Sequence, residues 1–256
     1  MTLLKTDAIT MQFGGLTAVR DLSLNIHQGE IVAVIGPNGA GKTTAFNMIT
    51  GVYKPTKGSI TFNEHEITGL KPHRITKRGM ARTFQNIRLF KDLSVEENVF
   101  IAQHLHLNAN LYQAMFRSPG YRQEEKKMME KVAFLLEKVG LSDLAGERAS
   151  SLSYGLQRKL EIARALATDP QMLLLDEPAA GMNPKETEML TRFIEDIRDE
   201  FDLTILLIEH HMQVVMGISK RIYVLDYGVT IAEGSPAEIQ NNERVIQAYL
   251  GVDEDA

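Results

Sequence analysis

Eight consecutive residues, Gly36, Pro37, Asn38, Gly39, Ala40, Gly41, Lys42 and Thr43, fit the spacing G-x-x-x-x-G-K-[ST]. The glycines let the backbone curl so that successive N–H groups point inward at phosphate oxygens. Lys42 would reach the β- and γ-phosphates of a nucleotide, and the Thr43 hydroxyl would ligate Mg²⁺. Thr44 follows directly and belongs to the same candidate set. A second pattern lies far downstream: four apolar residues, 172–175, run into Asp176 and Glu177. Asp176 can hold Mg²⁺ through water, and Glu177 can polarise an attacking water. An acidic pair by itself reads equally well as a helix N-terminal cap. Downstream of a phosphate loop it reads as the second element of a phosphate site.

These residues need a frame. Residues 30–36 form a short, nearly all-apolar run ending in glycine, and residues 42–50 lose strand alternation. That is a buried strand, a loop and a helix whose positive end meets the bound charge. Leu22, Leu24 and Ile26, and later Ile60 and Phe62, alternate with polar residues as half-buried antiparallel strands do. From Val95 to about Thr168 the pattern is helical. Met128, Val132, Leu135, Leu136 and Val139 recur at helical spacing, with Gly140 at the stop, and Ser118-Pro119-Gly120 breaks an earlier helical stretch. Residues 172–175, 204–208 and 222–225 are buried-strand runs, with a helix at 184–200 between the first two. Strands alternating with helices predict a parallel α/β sheet, whose strand ends carry the ligand.

Composition excludes several classes. The 256 residues carry a net charge of −5 and no cysteine. A weakly acidic chain is not built to coat nucleic acid. Without cysteine there is no disulfide framework, cysteine-ligated zinc, iron–sulfur site or cysteine nucleophile. Apolar runs of about five residues fall short of the roughly 20 needed to span a bilayer, so membrane work is expected to come through a partner. Residues 1–11 lack the pattern of a secretory signal. The acidic tail 253–255 reads as a frayed end.

The stretch Leu152-Ser153-Tyr154-Gly155-Leu156-Gln157 precedes a predicted helix over 157–168. It resembles the signature, usually LSGGQ, of the ATP-binding subunits of ABC transporters. The resemblance implies an α/β P-loop NTPase fold: an N-terminal antiparallel β subdomain, a parallel-sheet core and an inserted helical subdomain. It implies one ABC domain over 1–256, with approximate subdomains 1–90, 91–165 and 166–256, the last ending in a helix. It further implies ATP and Mg²⁺, and an ATP-sandwich dimer in which Ser153 and Gly155 bind the γ-phosphate held by a second subunit, a paralogue or another copy. Tyr154 and Leu156 depart from the usual pattern.

Carried along the chain, the resemblance makes Phe13 the aromatic that stacks on adenine. Gln85 becomes the glutamine that contacts Mg²⁺ and links the core to the helical subdomain. His210 becomes the switch histidine that holds the γ-phosphate and organises Glu177 as catalytic base. His211 stands where many relatives have Asp; paired histidines without a third ligand do not point to metal. Asn183 replaces the usual Asp of the loop 179–184, and Asn183, Pro184 and Glu186 also spell a helix start.

Residues 13–16, 81–90, 179–185 and 209–217, and an expansion around 107–123, resemble one branch, the branched-chain amino acid importers. That implies transmembrane permease partners, an extracytoplasmic amino-acid-binding protein and a peripheral place on the cytoplasmic face of the inner membrane. Urea and amide importers use similar subunits, and a soluble ABC ATPase or a small-molecule P-loop kinase are the other readings. The kinase leaves the signature and His210 without a role. Finally, Lys71, Arg74, Lys77, Arg78, Arg82, Arg88 and Lys91 fall in a stretch without acids. It faces a charged partner or anionic lipid, or is a solvated face; Arg82 and Arg88, flanking Gln85, are the candidates for a permease contact.

Overall fold

The computed structural model describes residues 1–106 and 119–250. Strands β1 (Thr2–Phe13), β2 (Leu16–His27), β4 (Lys57–Phe62) and β5 (His65–Glu66) form an antiparallel sheet in the order β2-β1-β4-β5. In β2 the alternation holds: Leu22, Leu24 and Ile26 are buried while Ser23 and Asn25 are exposed. The second sheet carries the site. Strands β3 (Ile31–Ile35), β6 (Met80–Arg82), β7 (Met172–Asp176), β8 (Thr204–Ile208) and β9 (Arg221–Asp226) run parallel in the order β9-β3-β8-β7-β6. Strand β10 (Val229–Gly234) adds an antiparallel edge beside β9, a hairpin the sequence reading missed.

The all-apolar strands follow from two covered faces. Ile31, Ala33 and Ile35 of β3 pack with helices α3 (Val95–Gln103), α4 (Pro119–Lys138), α5 (Tyr154–Leu166), α6 (Pro184–Glu200) and α7 (Met212–Ile218). Val32 and Val34 pack on the other face, with α1 (Lys42–Ile49) and the antiparallel sheet. Each such valine or isoleucine taken fully out of water contributes about 1.5–3 kcal/mol. The short helices α2 (Pro72–Thr76), α8 (Pro236–Gln240) and α9 (Glu243–Leu250) complete the α-helices of the described residues.

The predicted stripe of α4 is buried throughout, and Gly140 adopts the left-handed conformation after it, φ 69°. Asn183 caps α6 with Glu186 as the reciprocal partner and Pro184 at the first position. Pro119 and Gly120 open α4, which suits proline because the first turn needs no N–H donor; the earlier helical stretch that Ser118-Pro119-Gly120 is expected to break lies outside the described residues. One expectation fails: helix α5 starts at Tyr154, not Gln157, because Ser153 already leaves the helical conformation. The expansion around 107–123 lies largely outside the described residues. No described helix is long and apolar enough to cross a membrane.

Candidate active site

The phosphate loop hangs between β3 and α1. Gly36 and Gly41 both have positive φ, 148° and 99°. A Cβ on Gly36 would lie 2.0 Å from the Leu225 carbonyl oxygen, and one on Gly41 2.6 Å from that of Ala18. Neighbouring backbone presses so closely here that no side chain fits. Lys42 is buried, and its ammonium donates to the carbonyls of Gly36 and Pro37 at 2.7 and 2.8 Å. Burial lowers its pKa, opposed by the charges of Glu177 and Asp176.

A cleft of about 220 Å³ opens in front of the loop, lined by Ala18, Asn38, Gly39, Ala40, Gly41, Lys42, Thr43, Thr44, Glu177 and His210. Residues from three strand ends thus meet, as the parallel sheet requires. A cavity of about 300 Å³ between α4 and the start of β8, lined by Phe134 and Phe201 among others, contains none of the predicted site residues.

Glu177 sits one residue beyond β7 in the left-handed region, φ 48°, a conformation that costs a non-glycine residue energy and clusters at functional sites. Both its carboxylate oxygens are engaged. His210 Nε2 donates to Oε1 at 2.6 Å, and the Gln85 amide donates to Oε2 at 2.6 Å. Since a carboxylate only accepts, Gln85 must turn its NH₂ toward Glu177, which leaves its oxygen for another partner.

Asp176 closes β7, buried, with Oδ2 paired to Arg82 at 2.7 Å. Arg82 also donates to Asn47 and Thr50 and lies over the rings of Phe46 and Phe84. Arg82 is therefore no permease contact; β6 directs it inward to the acid at the end of the neighbouring strand. Arg88 is exposed, stacked over Phe84 at 4.2 Å, and Lys71, Arg74, Lys77, Arg78 and Lys91 are exposed as well.

Glu209 is a residue the sequence reading passed over. Its buried carboxylate accepts from the Ala179 N–H at 2.7 Å through Oε1, and from the His210 and His211 N–H groups at 2.8 and 3.1 Å through Oε2. It ties the loop after Glu177 to the loop bearing His210. The available signal was an acid directly after the five buried residues of β8, a place where a carboxylate must find donors.

The remaining candidates lie apart from this cleft. Phe13 ends β1, 43% exposed, edge-on to Tyr53 with ring centres 5.3 Å apart. Ser153 caps α5 by backbone geometry alone, its hydroxyl making no capping bond. A Cβ on Gly155 would meet nothing within 4 Å.

Among the described residues no group of three histidines or acids could hold a metal by itself. The oxygen donors of Thr43, Gln85 and Asp176 fit Mg²⁺, a hard cation that keeps waters and takes phosphate oxygens instead of a protein cage.

The pattern described as ABC transporter matches residues 19–180, and that described as branched-chain amino acid ATP-binding cassette transporter matches 229–255. The chain is 50% identical over 249 residues to the high-affinity branched-chain amino acid transport ATP-binding protein LivG of Salmonella typhimurium, covering 97% of this chain and 98% of that one. The ADP conformation of the ATP-binding cassette MJ1267 superposes with a TM-score of 0.86 at 32% identity, covering 98% of this chain and all of that one. The cassette MJ0796, dimeric in a post-hydrolysis state with ADP and Pi, gives 0.75 at 25% identity, covering 91% and 99%.

Proposed function

The chain belongs to the ABC transporter ATP-binding subunits, and from that premise we propose that it binds and hydrolyses ATP to energise import of leucine, isoleucine and valine through membrane-spanning permeases. The observation that carries this reading is the likeness, at half of all positions and over nearly the full chain, to a branched-chain amino acid transport protein. An extracytoplasmic binding protein would confer the choice of amino acid. The chain itself would sit peripherally on the cytoplasmic face of the membrane.

The site supports a definite division of labour. Phosphates replace the carbonyls of Gly36 and Pro37 as partners of Lys42, while the N–H groups of residues 38–44 and the start of α1 add further donors. Phe13 stacks on adenine. Glu177 takes a proton from the water that attacks the γ-phosphorus, as the bond to the bridging oxygen of the leaving ADP breaks. His210 orients Glu177 and offers a donor to the γ-phosphate, so one of the two bonds now holding Glu177 must loosen when water enters. Mg²⁺, held by Thr43, Gln85 and Asp176, would neutralise charge on the β- and γ-oxygens. Ser153 and Gly155 complete the site of a second ATPase subunit, and the helical part of the chain swings with Gln85 as the two close.

The test is uptake of labelled leucine in cells lacking this chain, with an unrelated amino acid as control. Loss of high-affinity leucine uptake, restored by the wild-type chain, is expected. Normal leucine uptake with a specific loss of urea or amide uptake would overturn the substrate and leave the ATPase standing.

A further inference from the structure

Among the described residues, one ion pair is buried outside the phosphate cleft, on the helix that begins at the signature. Arg158 is 0% exposed and Glu161 2%. Arg158 Nη1 donates to Glu161 Oε2 at 2.6 Å and to the Phe84 carbonyl at 2.7 Å; Nη2 donates to the Gln85 carbonyl at 2.9 Å and to the Tyr154 hydroxyl at 3.1 Å. The other oxygen of Glu161 accepts from the N–H groups of Phe84 and Arg88 at 3.4 and 3.3 Å. Two side chains, one helical turn apart on α5, therefore hold four backbone groups of the segment that carries Gln85. Burial raises the Glu161 pKa and Arg158 opposes it.

Stability is a poor explanation for such a pair. Desolvating each ion costs several kcal/mol, and apolar residues of the same volume commonly do as well or better. A guanidinium does have one property that no apolar side chain offers: a flat fork that binds two carbonyls and a carboxylate in fixed geometry. Here the fork points at a segment with no regular secondary structure, whose next side chain bonds the carboxylate of Glu177. Tyr154, the departure from the usual signature glycine, joins the same network by accepting from Arg158 through its hydroxyl while the residue stays 44% exposed.

We propose that Arg158 and Glu161 are positioning residues that fasten the Gln85 segment to the signature helix, so that displacement of Ser153 and Gly155 against a partner's nucleotide is delivered to Gln85 and from there to Glu177. Tyr154 is the surface end of this linkage. The inference rests on the proposed roles of Gln85 and Glu177 in hydrolysis.

The experiment is ATPase kinetics of the full permease complex in lipid vesicles, with Arg158→Lys, Glu161→Gln and Gln85→Ala singly and Gln85→Ala combined with each of the other two. Lysine keeps the charge and loses the fork; glutamine keeps the shape but has one acceptor oxygen where Arg158 on one side and the N–H groups of Phe84 and Arg88 on the other need two. Each is expected to lower kcat about tenfold with KM for ATP within about twofold, and each double variant to be no slower than Gln85→Ala alone, the non-additivity of residues acting through one another. Multiplying losses, a wild-type kcat, or a loss confined to KM would overturn the linkage. If Arg158→Lys fails to fold, Glu161→Gln carries the same cycle, and Tyr154→Phe, on a partly exposed side chain, should show a smaller kcat loss that also vanishes in the Gln85→Ala background. A wild-type complex that hydrolyses no ATP would instead defeat the proposed function, a result distinct from any of these.

Discussion

Two helix starts in this chain are proposed to meet phosphate, and they are built in opposite ways. At α1 the loop is pressed into surrounding backbone: Gly36 against Leu225, Gly41 against Ala18, and Lys42 buried beneath. The charged groups around it are paired within the chain, Lys42 with loop carbonyls, Glu177 with His210 and Gln85, Asp176 with Arg82. At α5 the Ser153 hydroxyl makes no capping bond, and Gly155 faces open space. Both starts offer N–H groups and a dipole, and the first has a carboxylate, Glu177, lining the cleft in front of it. A glycine required by close packing serves its own chain. A glycine with nothing near it fits a surface that works when something else arrives.

The largest expected effect breaks the first of these regions. Glu177→Gln preserves the shape and both neighbours but removes the basicity, so hydrolysis should fall by about 10²–10⁴ while ATP still binds. Single-turnover kinetics with labelled ATP check it, and wild-type rates would remove Glu177 from its role. Next comes Lys42→Ala, expected to weaken nucleotide binding or turnover at least about tenfold, or about 1.4 kcal/mol, because it removes the buried cation of the proposed phosphate loop. Calorimetric titration with nucleotide reads it directly.

Much of the first region was legible in the sequence because its chemistry is local. Residues 36–43 and the run 172–177 carry their geometry in consecutive letters, and the start of α6 at Pro184 was marked by its cap. What escaped notice depends on pairings between distant strands. Arg82 reads as a surface cation in a basic stretch until β6 pairs with β7 and sets it beside Asp176. Glu209 looks like a neighbour of the histidines until the chain turns and brings Ala179 to it.

Smaller effects sharpen the contrast. Lys42 holds its proton less tightly than an exposed lysine, and only its charged form attracts phosphate. Nucleotide affinity should therefore fall as pH rises, beginning below the ordinary lysine range near 10.4; affinity measured against pH, flat up to that range, would contradict it. Tyr223 spans the two sheets, its hydroxyl accepting from the Asn25 N–H at 3.2 Å, and burial pushes its pKa up to about 12. Folding favours the neutral phenol, so its contribution to stability is complete below about pH 10, the unfolded value, and is lost as pH rises through 12. Denaturant midpoints between those values should fall more steeply for wild type than for Tyr223→Phe.

The contrast between the two helix starts makes one claim above the rest: the signature completes a site on another subunit and is not needed for nucleotide binding to its own. Gly155→Asp adds a charge where this chain has room for it, so the fold should hold. Combined with Glu177→Gln and sized in the presence of ATP, alone and with a paralogous subunit, it should bind nucleotide with the affinity of the single Glu177→Gln variant yet stay monomeric, whereas Glu177→Gln alone accumulates as a dimer. Dimers of equal stability with and without Gly155→Asp, or a loss of nucleotide affinity in the isolated chain, would contradict the account.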